Sequence, residues 1–137
     1  MLTDGNIADY DQIRKDINAL QSVYNIKEIG VDAWNAAHII NDLTGDGFLM
    51  TEFRQGFASL SGPSKEFERL VLGEKLNHFG NPMLRWMASN VTVMRDAADN
   101  IKPIKEDRSN KIDGIIAAIM AIACAMQAID EKSVWDY

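Results

Sequence analysis

A short apolar run that ends on an acid and turns straight into a helical pattern constrains this chain more than any other stretch. In Lys27-Glu28-Ile29-Gly30-Val31-Asp32, Ile29 and Val31 alternate with smaller or polar neighbours, the period of a buried strand. Asp32 falls where that strand stops, at the sheet edge where α/β proteins keep their sites. Helical patterns lie on both sides, so the stretch is the middle of an αβα unit. Asp32 has two readings here. Asp is a preferred N-cap, and Ala33-Trp34-Asn35-Ala36-Ala37 follows, so capping the next helix is the ordinary reading and a site carboxylate is the other.

Before the strand, Asp9 with Gln12 resembles a capping box, and Tyr10, Ile13, Ile17, Leu20 and Tyr24 recur at three- and four-residue spacing. This predicts an amphipathic helix over 9–24, with Asp11, Arg14, Lys15, Asp16 and Asn18 outward and the apolar stripe on a sheet. After the strand, Trp34, Ala37, His38, Ile40 and Leu43 predict a second helix to about Leu43. On that stripe His38 reads as a packed histidine with one hydrogen-bond partner rather than a metal ligand. Asp42-Leu43-Thr44-Gly45-Asp46-Gly47 has the first half of a calcium loop, but the twelfth position is Phe53, and Glu52 is one residue early. It is expected to be a turn leading to a second strand at about 48–53, parallel to the first because a helix connects them.

Residues 55–63 read as a loop or short turn, and 64–76 as a helix with Phe67, Leu70, Val71 and Leu76 inward. Asn77 to Pro82 breaks it, Pro82 opens a brief helix, and Val91-Thr92-Val93-Met94-Arg95 is a β-branched strand. Across the turn 96–100 it is expected to form a peripheral hairpin with Ile101-Lys102-Pro103-Ile104, Pro103 confining the second arm to an edge. Lys102, Lys105, Arg108 and Lys111 make the densest basic cluster, whose ordinary reading is a solvated loop. From Lys111 to about Asp130 apolar residues cover most of a helix's circumference, so this helix is expected to be buried on nearly all sides. Its first turn holds one charge, Asp113, placed for a capping-box-like or helix-dipole role. The tail from Glu131 to Tyr137 is expected to fray.

Composition narrows the function. The 137 residues suit one domain, 47% hydrophobic and 25% charged, as in ordinary globular proteins. With 14 basic against 20 acidic residues the net charge is −6, so contact with nucleic acid requires a local basic patch or a bound metal. The one cysteine, Cys124, sits in an apolar run, reads as a small core residue, and fits a reducing cytoplasm. The polar start Met1-Leu2-Thr3-Asp4-Gly5-Asn6 carries no export signal. The uncharged run Gly114–Ile129 is 16 residues, shorter than the ~20 a bilayer requires.

Asp32 ends the central strand and Asp113 opens the most apolar helix, which is expected to pack over the same sheet. Two carboxylates brought together repel unless protons or divalent cations intervene, the arrangement used in two-metal phosphodiester hydrolysis. Their carboxylates are therefore expected within roughly 4–8 Å of each other. The order of elements matches the second half of a ribonuclease-H-like fold.

The words Asn6-Ile7-Ala8-Asp9-Tyr10-Asp11, Tyr24-Asn25-Ile26-Lys27-Glu28-Ile29 and Asp32-Ala33-Trp34-Asn35-Ala36 resemble the start of the C-terminal half of the phage terminase large subunit nuclease domain. Gln55-Gly56-Phe57, Leu60-Ser61-Gly62-Pro63, His78-Phe79-Gly80-Asn81-Pro82, Trp86-Met87-Ala88-Ser89-Asn90 and Lys111-Ile112-Asp113-Gly114 follow in the same order, over nearly the whole chain. The resemblance implies a truncated ribonuclease-H-like α/β fold, a short, mainly parallel sheet flanked by helices plus the hairpin, in one domain over 1–137. It implies a fragment of a packaging motor whose parent activity is Mg²⁺- or Mn²⁺-dependent endonucleolytic cleavage of concatemeric double-stranded DNA. By motif Asp32 matches the family's second catalytic acid and Asp113 its third, both metal ligands, with Lys102, Lys105, Arg108 and Lys111 near phosphates. The strand bearing the first acid, and the ATPase with its phosphate loop, are expected to precede residue 1, which leaves the two-metal site incomplete. Implied partners are DNA, the phage portal and the small terminase subunit, in the host cytoplasm. With the neighbour of the 27–31 strand missing, a homo-oligomer, completion by an N-terminal half, or cover from residues 1–8 or 91–104 is expected. The alternative is a non-catalytic prophage-remnant or assembly module whose acids are vestigial.

Overall fold

A computed structural model describes residues 8–34 and 36–135 of the chain. Residues 1–7, to which a covering role is assigned above, Asn35, and the end of the tail at 136–137 lie outside the described residues. The chain is mixed α/β and divides into two compact units, 1–52 and 53–137.

In the first unit, α1 (Tyr10–Gln21) starts where the capping pattern places it, with Asp9 accepting from the Gln12 amide at 3.0 Å. It ends three residues before Tyr24, at Gln21, with Ser22 as its C-cap, and buries none of its residues. The stripe does not lie under a sheet: Tyr10, Ile13 and Leu20 stay exposed, and among the described residues the short strands β1 (Ile29–Asp32) and β2 (Met50–Phe53) form a two-stranded sheet. What ties α1 to α2 (Ala37–Gly45) is polar. Arg14 holds the Asp46 carboxylate with two bonds of 2.5 and 2.6 Å, and Asn18 donates to the same group at 2.9 Å. The Arg14 and Asn18 bonds draw the Asp46 carboxyl down to about 2.

Of the turn expected at 42–47 only the end is one: α2 runs past Leu43 to Gly45, and the turn is 46–47. Asp46 caps α2, and Gly47 takes φ 97°, a conformation that favours glycine. β2 then pairs with β1, the Ile29 amide donating to the Leu49 carbonyl at 2.9 Å and the Thr51 hydroxyl to Glu28.

The second unit departs from expectation at its start. Helix α3 (Phe57–Leu72) begins seven residues before Ser64 and carries Pro63 inside it. The proline forfeits one helical bond, to the Ser59 carbonyl, but Leu60, only 1% exposed, packs with Ile115 and Ile119 and holds the earlier turn in place. Phe67 packs on the same cluster, whereas Val71 and Leu76, expected inward, are exposed.

Helix α4 (Pro82–Ser89) opens as predicted on Pro82, with Asn81 accepting from the Leu84 amide at 3.0 Å. Strands β3 (Val91–Arg95) and β4 (Ile101–Lys105) form the antiparallel hairpin, Val93 opposite Pro103. The hairpin is not peripheral. Ile101 is buried and its amide donates to the Ser61 hydroxyl of α3 at 3.1 Å, which makes β4 part of the core.

Helix α5 (Asp113–Trp135) continues five residues beyond Asp130, through the segment expected to fray. Ile112, Ile116, Met120, Ala123 and Cys124 pack on Phe53, and Ile115 and Ile119 on Leu60, so Cys124 is the core residue expected. The helix is not buried all round: Ala117, Ala121, Ala125 and Ala128 are exposed. Alanine is a strong helix former with little apolar surface, so an apolar helix can turn that face to water without much loss.

Candidate functional site

Asp32 is the last residue of β1, and its surroundings exclude the capping role. α2 starts at Ala37, behind Ala36, while Asp32 Oδ1 accepts the Trp34 amide at 3.1 Å in a local turn. Four residues separate strand end from helix start. The half-buried carboxylate is thus oriented by the loop at the strand terminus, and Trp34 beside it is 83% exposed.

Asp113 is the first residue of α5 and is exposed, at the end of the helix where the dipole favours a negative charge. The backbone around it is fixed on both sides. The buried Ile112 accepts the amides of Ile115 and Ile116 through its carbonyl, both at 3.0 Å, so the helix begins abruptly. On the other side, the Gly114 amide donates to Met87 Sδ at 3.1 Å. A Cβ at residue 114 would fall 2.8 Å from that sulfur and 3.2 Å from Leu84 Cδ1, so glycine is what lets these two side-chain ends lie against the backbone of α5. Sequence reasoning took Gly114 as the start of an uncharged run and as the end of the word Lys111-Ile112-Asp113-Gly114, without a packing role.

The four basic residues follow the connection into Asp113. Lys102 lies on β4 with Nζ 5.0 Å from the centre of the Phe57 ring, a cation–π contact. Lys105 ends β4, Arg108 sits in the turn where Asp107 accepts the Ser109 amide at 3.1 Å, and Lys111 stands two residues before Asp113. The last three are exposed, and the Lys111 carbonyl accepts from Asn90 Nδ2 at 3.0 Å. Asp113 and all four basic residues belong to the second unit; Asp32 belongs to the first.

His38 is not packed: it is exposed, with Nδ1 3.2 Å from Asp42 Oδ2 as its ion-pair partner. Among the described residues no three His, Cys, Asp or Glu side chains gather as a metal cage, and no helix is long and apolar enough to cross a membrane.

The family model described as "Terminase large subunit, endonuclease domain" matches residues 1–128, across both units. Among curated proteins, the chain is 31% identical to Protein YmfN of Escherichia coli K12 over 99% of its own length and 30% of that protein. It is 28% identical to the terminase large subunit of Enterobacteria phage HK97, over 95% of its length and 26% of that subunit. It therefore spans less than a third of the length of either relative. The HK97 large terminase crystal structure superposes with a TM-score of 0.79 at 28% identity, covering 89% of this chain and 26% of that one. The large terminase nuclease of the thermophilic phage G20c gives 0.64 at 16% identity, covering 87% and 62%, a likeness of fold. These terminase nuclease structures are ribonuclease-H-like, and the fold expected from the sequence is the one found.

Proposed function

Because the chain belongs to the terminase large subunit endonuclease domain family, we propose that it carries two of the acids of a divalent-metal nuclease acting on concatemeric double-stranded DNA during phage packaging. The observation that carries this reading is Asp113, held at the first position of α5 by Ile112 and Gly114 and approached along a connection bearing Lys105, Arg108 and Lys111. Asp113 and Asp32 supply carboxylate oxygens, the donors that Mg²⁺ and Mn²⁺ prefer. When bound, such ions neutralise charge at the scissile phosphate and acidify a water for attack. The chain's own groups orient the carboxylates: the Trp34 amide at Asp32, and the Met87 contact beside Asp113. Two carboxylates fill only part of a six-oxygen shell, so a further acid completes the site. The family supports DNA, the portal and the small terminase subunit as partners, in the cytoplasm of the host.

The expected result is weak Mn²⁺ binding, seen as loss of the free-ion EPR signal. Asp32→Asn and Asp113→Asn should each abolish it, the double variant being no worse than either. Plasmid nicking by the chain alone should be slight or absent. Mn²⁺ binding unchanged in both variants would refute the ligand assignment, as would robust nicking that survives Asp113→Asn. Complete absence of Mn²⁺ binding favours the second reading, a non-catalytic assembly or prophage-remnant module, which is consistent with the lack of a three-acid cage among the described residues.

We also propose association through β1. Among the described residues it pairs with β2 alone, leaving one side free for a second copy or an N-terminal half. Light scattering at micromolar concentration should give a mass above the 15.3 kDa of one chain; a strict monomer at that concentration contradicts self-association.

A further inference from the structure

Helix α4 is anchored to the residues on either side of Asp113. Its C-cap Asn90 donates to the Lys111 carbonyl at 3.0 Å, and Leu84 and Met87 lie against Gly114. Its other end opens onto the loop Asn77–Asn81, whose Phe79 ring is 91% exposed. That loop is fixed. Asn77 Oδ1 accepts the Phe79 amide at 2.9 Å, the His78 carbonyl accepts the Asn81 amide at 3.0 Å, and Asn81 caps α4. Phe79 and Gly80 both adopt left-handed backbone, φ 52° and 69°. A phenylalanine is disfavoured there, so the bonds around it hold the backbone in a conformation that leaves a large apolar ring in solvent.

The surroundings say what it meets. Between residues 74 and 90 the charged groups are Glu74, Lys75 and Arg85, a basic balance in a chain whose acids outnumber its bases 20 to 14. An exposed ring with cations near it in the sequence suits a base between phosphates: every base offers a π face, and the cations meet the backbone. From Pro82 to Leu84 and Met87, which lie against Gly114, α4 rises about 3–8 Å, or about one to two base steps at 3.4 Å each.

Building on the nuclease reading above, we propose that Phe79 is a DNA-stacking residue, inserting its ring against an unstacked base a step or two from the bond to be cut. Lys75 and Arg85 take the flanking phosphates, and α4 sets the spacing to Asp113.

The test uses the whole chain and a gapped duplex with 2-aminopurine in the gap, read by anisotropy and by 2-aminopurine emission over a salt series. Phe79→Ala should weaken binding about 5- to 100-fold without changing the salt slope, since it removes stacking and no phosphate contact. Phe79→Tyr should bind as the parent does, and the emission change seen with the parent should vanish in Phe79→Ala. The exposed ring lies outside the core, so the variant keeps its fold. Equal binding by parent and Phe79→Ala overturns the proposal and leaves the nuclease reading standing. Absence of DNA binding by the parent overturns both. Met83 and Trp86 lie four and seven residues on, 58% and 45% exposed. If their alanine variants abolish self-association together with Phe79→Ala while DNA binding persists, the stripe is a protein contact and the proposal falls.

Discussion

The basic cluster at 102–111 should by itself make affinity for double-stranded DNA fall about 10²-fold between 50 and 200 mM salt. The fourfold variant Lys102→Gln, Lys105→Gln, Arg108→Gln, Lys111→Gln should lose most of that dependence. Each phosphate neutralised contributes about −0.9 to the slope of log K against log salt, so four contacts give about −3.6, and a fourfold rise in salt then costs about 10² in affinity. Lys102 contributes less than the others because its ammonium already lies over the Phe57 ring. Glu106 and Asp107, in the same connection, oppose the field, and the slope lost should therefore be nearer ~3 than ~4. Lys15→Gln with Lys27→Gln, exposed lysines of the first unit, is the control and should leave the slope unchanged. A salt slope unaltered in the fourfold variant means that the phosphates lie elsewhere and that the cluster is a solvated loop. Fluorescence anisotropy over a salt series decides between the two.

What the sequence disclosed of this site follows from how local each signal is. Asp32 and Asp113 are found at a strand end and a helix start because both boundaries are written in nearby residues. Ile29 and Val31 alternate up to Asp32, and the uncharged run begins right after Asp113. The work of Asp32 was not legible. Whether an Asp caps a helix depends on where the first turn forms, and here α2 begins only at Ala37, behind Ala36. Gly114 gave no sign, because its role exists only once Met87 and Leu84 of α4 lie against it. Phe79 was equally silent: Gly80 and Pro82 announce a break, but outward presentation of a ring depends on two successive left-handed residues and an Asn77 bond.

The fold divides in the same way. The β3 span was legible to the residue, since Val91-Thr92-Val93 is β-branched or apolar and Asp96 to Asn100 is rich in turn formers. Asp96 accepts the amides of Ala98 and Asn100 at 3.0 and 2.8 Å, which closes that turn locally. The α1 stripe was read correctly as a helix and wrongly as buried, because periodicity reports the helix and not the area of its partner. The exposed alanine face of α5 was invisible, since alanine counts as apolar wherever it points.

Leu60→Ala should be the most destabilising of the single substitutions considered, because Leu60 sits where local signals fail and tertiary packing takes over. A proline three residues on argues for a loop, yet Leu60 is 1% exposed, packed on Ile115 and Ile119 with Phe67, Leu84 and Met87 around them. Removing a buried leucine loses its transfer free energy and leaves a cavity, together about 2–5 kcal/mol. Collapse around it is restricted. Pro63 stiffens the backbone, and Ser61 is held by the Ile101 amide, so the value should lie toward the upper half of that range. With a urea dependence of ~1–3 kcal/mol per molar, the midpoint should move down by about 1–5 M at an unchanged slope. Leu72→Ala is the internal comparison, as the same substitution on the same helix where the side chain is 77% exposed, and it should change stability by about 0.5 kcal/mol or less. Equal shifts for the two would mean that residues 57–63 do not form the first turns of α3. The loop expected from the proline would then describe the segment better than the helix.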